Sequence, residues 1–94
     1  MEYKMFIDVK LFTLHQNIYI ANDEGEIEKI VRSTVDNMND TVIGLMEKQD
    51  FSEIEISGNQ EFIQSIGEKL LTELKLTYAN KNVRMLLNGK VFNQ

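Results

Sequence analysis

The sequence predicts a small α/β (or α+β) fold. It is a two-layer sandwich in the order β-β-α-β-α-β, with two helices on a mixed sheet of four strands and a short fifth strand as a candidate at the end. Three patterns carry that expectation. Residues 4–12 alternate apolar and polar side chains, and residues 27–46 repeat apolar ones at intervals of three and four. The second half of the chain then runs through strand, helix and strand patterns again. The 94 residues are 43% hydrophobic and include no Pro, Cys or Trp. That length suits one domain, residues 1–94, because folding hides roughly two-thirds of the surface of a chain of this size.

In the first strand Met5, Ile7, Val9 and Leu11 point one way, and Lys4, Phe6, Asp8, Lys10 and Phe12 the other. His15, Gln16 and Asn17 read as a turn, after which Ile18 and Ile20 resume the alternation as an antiparallel partner. Asp23 then reads as a helix N-cap with Glu26 at the third position. The stripe Ile27, Ile30, Val31, Val35, Met38, Val42, Leu45 and Met46 predicts one helix from about Asp23 to Lys48. Residues 51–57 alternate again, with Ile54 and Ile56 inward and Glu53 and Glu55 outward. Gly58 and Asn59 turn the chain, with Asn59 as the candidate cap, into a second helix, whose stripe is Phe62, Ile63, Ile66, Leu70, Leu71 and Leu74. Residues 83–87 are the next strand, and Asn88-Gly89 is a favoured type I′ hairpin pair ahead of the short strand at Val91 and Phe92. Each strand–helix–strand step implies a right-handed parallel crossover. The strict alternation of the first strand favours a sheet covered on one face, although the pattern alone leaves the side of each helix open.

Composition excludes several classes. With no Cys, neither a disulfide nor a cysteine–zinc site can form. The net charge of −5, with the bases spread along the chain, argues against direct nucleic-acid binding. Residues 1–14 lack the apolar core of a signal peptide, since Asp8 and Lys10 interrupt them. No run approaches the roughly 20 apolar residues of a membrane span. A cytoplasmic protein without membrane contact is expected. The abundance of Ile, Asn and Lys beside only two Arg and two Ala points to an AT-rich bacterial or phage genome.

Catalytic signatures are missing. No Gly-x-Ser-x-Gly elbow or glycine-rich phosphate loop occurs, so no catalytic residue and no cofactor is expected. His15, the single histidine, falls in the expected turn as an exposed residue. The segment Asp36-Asn37-Met38-Asn39-Asp40 lacks the Gly and Glu that complete a calcium loop. Asp8, Glu53 and Glu55, by contrast, are expected on one side of the sheet, where they form an alternative candidate metal site. That side also carries Phe6, Phe12, Tyr19 and Leu86 amid Lys10 and Arg84. Apolar anchors within a mixed polar rim describe a protein–protein interface.

The order of a hairpin followed by α-β-α-β is similar to half of a ribonuclease-H-like domain, whose metal-binding acids lie on such strands. That resemblance implies Asp8 in the place of the first-strand Asp and a divalent-metal-dependent nuclease as one function. Residues 83–94 contain no acid to complete a two-metal site. As a reading frame, the chain resembles small phage or mobile-element accessory proteins. This implies an interaction module that binds a protein partner or forms a homodimer. A small-ligand binder is the third alternative.

Overall fold

The structure, a computed structural model, describes residues 2–92 apart from the side chain of Phe62. Among the described residues six strands form one mixed sheet: β1 (Tyr3–Val9), β2 (His15–Ala21), β3 (Ile27–Thr34), β4 (Phe51–Gly58), β5 (Arg84–Leu87) and β6 (Lys90–Val91). Their order is β3-β2-β1-β4-β5-β6. β1 pairs antiparallel with β2 and parallel with β4, which in turn pairs parallel with β5. The outer pairs β2–β3 and β5–β6 are antiparallel. The first helix, α1, is Met38–Lys48. The second begins as a short turn α2 (Gln60–Phe62), passes through a π-helical turn Ile63–Gly67 and continues as α3 (Glu68–Thr77).

Both helices cover the same face. Met5, Ile7 and Val9 of β1, with Ile18, Ile20, Ile54, Ile56 and Met85, share one buried cluster with Met38, Val42, Leu45 and Met46 of α1. Leu70, Leu71 and Leu74 of α3 join that cluster, as do Phe51, Ile63 and Phe92. Each such side chain contributes about 1.5–3 kcal/mol by leaving water. Gly67 lets the second helix come close to the sheet, because a Cβ there would sit 3.0 Å from Leu87 Cδ2. Asn59 caps this helix as expected, its Oδ1 accepting the Glu61 N–H at 3.1 Å. The predicted stripe also named Phe62, whose side chain lies outside the described residues. At the other end Phe92 is buried, with its N–H on Met85 O at 2.8 Å and its carbonyl accepting from Lys75 Nζ at 2.6 Å.

The largest departure from the sequence reading is β3. Residues 23–34 are not the first half of a helix but a turn and an edge strand, so the sheet has six strands rather than four or five. The Asn22 side chain organises that turn, its Oδ1 accepting from the N–H groups of Glu24 and Glu26, both at 3.0 Å. Gly25 supplies the positive φ of 85°. Asp23 therefore caps no helix, and α1 starts only at Met38, ending at Lys48 as expected. Five β-branched residues, Ile27, Ile30, Val31, Thr34 and Val35, favour the extended chain here.

The first hairpin turns earlier than predicted. β1 ends at Val9, and His15, Gln16 and Asn17 are the opening residues of β2 rather than a turn. Phe12 is consequently not on the strand: it stands at the loop tip, fully exposed, at φ 62°. Leu11, expected inward, is exposed as well. A left-handed backbone costs a non-glycine residue roughly 1–2 kcal/mol. Phe12→Gly is therefore expected to be neutral or to stabilise by up to about 1 kcal/mol, after the entropy that Gly adds to the unfolded chain. A chemical denaturation midpoint that falls clearly would show that the ring itself holds the loop.

Candidate functional site

The face of the sheet opposite the helices is uncovered, and the strand registers organise it into rows. The middle row is Ile30, Tyr19, Phe6, Glu55, Leu86 and Val91, each directly across from the next. At about 4.8 Å between strands, the row spans about 24 Å. Ile30 and Val91 at its ends are exposed, Phe6 and Tyr19 are half-buried, and Leu86 is buried without joining the helix-side core. On one side runs Ala21, Lys4, Glu53 and Arg84, and on the other Arg32, Asn17, Asp8 and Ser57. The result is an apolar band between two polar bands.

Four charges on this face are matched in two pairs, while Lys4, Arg32 and Glu55 form no ion pair among the described residues. Lys10 lies 3.7 Å from Asp8, and Arg84 lies 3.9 Å from Glu53. With the cation of each pair well exposed, such pairs contribute little to stability, about 0–1 kcal/mol each, and serve mainly to orient side chains. Glu55 is different. Among the described residues its carboxylate makes no ion pair or hydrogen bond, and it interrupts the apolar row between Phe6 and Leu86.

The predicted surface residues are thus distributed as follows. Phe6, Tyr19 and Leu86 stand in one row, with Arg84 in the adjoining row; Lys10 follows β1, and Phe12 is displaced to the hairpin tip. Ile30 and Val91 complete the row and were not singled out. The Asn22–Gly25 turn signal before a β-branched run was the clue to Ile30. The alternative metal site fares differently. Phe6 separates Asp8 from the level of Glu53, and Asp8 lies opposite Ser57 rather than an acid. Among the described residues no group of three His, Cys, Asp or Glu could hold a metal ion.

A second feature lies at the carboxyl ends of β1 and β3. The Gln16 side chain is buried and braces the hairpin loop: Oε1 accepts the Lys10 N–H at 2.6 Å, while Nε2 donates to Lys10 O at 3.1 Å and Thr13 O at 3.2 Å. Beside this loop opens a concavity of about 470 Å³, lined by Asp8, Lys10, Thr13, His15, Asn17 and Arg32 among others. No helix of the described residues is long and apolar enough to cross a membrane.

No protein-family model matches the chain, and no curated protein does. Its fold is similar to a solved structure from Bacteroides thetaiotaomicron VPI-5482, a protein with an actin-like ATPase fold and unknown function. The two align with a TM-score of 0.61 and 16% identity over 92% of this chain. The chain spans 32% of that protein's length, about a third. The likeness concerns the fold alone, a mixed α/β sheet with two helices.

Proposed function

We propose that the chain is a protein-interaction module that binds a protein partner through its helix-free sheet face. The apolar row from Ile30 to Val91 carries this reading. It presents aromatic and aliphatic anchors at their centre half-buried and at their ends exposed, between rows of polar side chains, which is the anatomy of an interface core and rim. The unpaired Glu55 carboxylate in mid-row defines the partner further, as an apolar surface bearing a Lys or Arg that meets it. A cytoplasmic phage or mobile-element accessory role accords with the acidic, AT-biased composition.

The test is affinity capture from bacterial lysate with the tagged chain and three variants. A protein captured by the wild type should be lost with Tyr19→Asp and with Glu55→Lys, each weakening binding by about 30-fold or more if the residue is an anchor. Leu76→Asp, at an exposed site on α3, should bind like wild type. Circular dichroism verifies that each variant folds. Equal capture by all four proteins would end this reading.

The concavity beside the hairpin supports a second reading, a small anionic ligand held by Lys10, His15 and Arg32. Chemical-shift changes confined to those three residues on adding pyrophosphate would favour it; shifts no larger than those produced by matched chloride would dismiss it. A metal-dependent nuclease has less support, since Asp8, Glu53 and Glu55 do not converge.

A further inference from the structure

The strand β3 is an open edge. It lies at one end of the sheet order, runs for eight residues, and is exposed from Ile27 through Ile30 and again at Arg32. It contains no Pro, and its Ile27 and Ile30 side chains are more than half exposed. Alternate residues of such a strand turn unpaired N–H and C=O groups outward, a template for another strand.

We propose that two copies of this chain join antiparallel along β3, about a two-fold axis that passes through Ile30. The register follows from symmetry and charge. A two-fold axis normal to the sheet keeps each face on its own side, so opposed residues lie at equal distances either side of the axis. An axis at Lys29 would set the two ammonium groups against each other. An axis at Val31 would oppose Arg32 to Ile30 and leave Glu28 against Thr34. With the axis at Ile30, Glu28 of each copy faces Arg32 of the partner subunit, giving two opposite-charge pairs around an Ile–Ile contact. Lys29 then lies beside Val31, where its aliphatic stem covers an apolar neighbour.

The same register extends the apolar row. Because Ile30 is opposite Tyr19, the dimer carries an unbroken row of Phe6, Tyr19 and Ile30 from one copy meeting Ile30, Tyr19 and Phe6 of the other on the open face. The edge uses backbone groups and the face uses side chains, so this inference stands apart from partner binding: a monomer that still captures its partner would end one and leave the other.

Two experiments read the register. Ile30→Cys introduces the single thiol of a cysteine-free chain. Directly opposed antiparallel residues lie about 4.5–5.5 Å apart at Cα, within the span a disulfide bridges. With oxidised glutathione taking up the two electrons and two protons, I30C should form covalent dimers at least ten times faster than L76C, whose thiol would lie on exposed α3. Equal rates would overturn the proposal. In sedimentation at about 100 μM, the wild type should dimerise, and R32E and E28R should each dimerise at least about ten-fold more weakly, because like charges then face each other. An equimolar mixture of the two restores both ion pairs and should form the heterodimer. A monomeric wild type, or a mixture no more associated than its components, would equally overturn it.

Discussion

Gly58→Ala is expected to destabilise the chain by about 3–5 kcal/mol, the largest loss from any single methyl group here, since backbone strain and overpacking add. Gly58 closes β4 directly opposite Val9 at the end of β1, at φ 152°, where side-chain-bearing residues are rarely found. A Cβ at this position would lie 2.3 Å from the Val9 carbonyl oxygen, a backbone atom that cannot swing aside. Relief would require parting the parallel ladder at its carboxyl end. The strain would also reach β5, because Asn88 holds Gly58 from the other side. Its Oδ1 accepts the Gly58 N–H at 2.9 Å and its Nδ2 donates to the Gly58 carbonyl at 3.2 Å. For a domain of this size about 1 kcal/mol moves the melting temperature by about 4–8 °C, so a fall of more than 10 °C is expected. Gly25→Ala provides the comparison: it also has a positive φ, but nothing lies within 4 Å of its missing Cβ. Its cost should be about 1 kcal/mol. Equal losses in calorimetry would assign the Gly58 effect to φ alone and remove the clash from the account.

That pair of glycines also illustrates which features could be read from the sequence. Local chemistry was legible where one residue type does one task. Asn88-Gly89 announced its turn through two positive-φ positions, observed at 47° and 80°. Asn59 announced a helix cap, and the alternation of Phe6, Glu53, Glu55 and Leu86 placed them on one side of the sheet. The stretch Ile27–Val35 was not legible in this way. Apolar residues at intervals of three and four suit an amphipathic helix, but they equally suit an edge strand with apolar residues on both faces and a register shift at its start, which occurs between Ile20 and Ala21. Periodicity alone does not separate these cases; the β-branched content and the Asn22–Gly25 turn do. Phe12 was misplaced for a related reason. Alternation continues past Val9 in the sequence, but the strand stops there because Gln16, four positions beyond Phe12 at the loop tip, takes up the Lys10 backbone groups. No periodic pattern encodes that use of one amide.

The role of Gln16 leads to the second large effect. It is 2% exposed on the helix side of β2, opposite the equally buried Ser33, and its amide is the structural centre of the first hairpin. Gln16→Leu preserves size but leaves the Lys10 N–H and the Thr13 carbonyl without their partner, which should cost about 2 kcal/mol because loop exposure lets water replace part of the loss. Gln16→Glu should cost more at neutral pH, about 3 kcal/mol. Its carboxylate could still accept from Lys10 N–H, but the oxygen replacing Nε2 would face two carbonyl oxygens in a buried site. The pH dependence has a definite sign. Burial and the two carbonyls raise the folded-state pKa of this new carboxyl above its unfolded value of about 4.3, so between those two values the folded protein binds more protons than the unfolded chain. The Glu variant should therefore recover stability as the pH falls towards the unfolded pKa and lose it as pH rises above that value, whereas the difference between Gln16→Leu and wild type stays flat. Urea midpoints of the three proteins measured from acid to neutral pH test this. A constant gap between the Glu and Leu variants across that range would mean that the carboxylate escapes to solvent and that the loop does not depend on a buried amide.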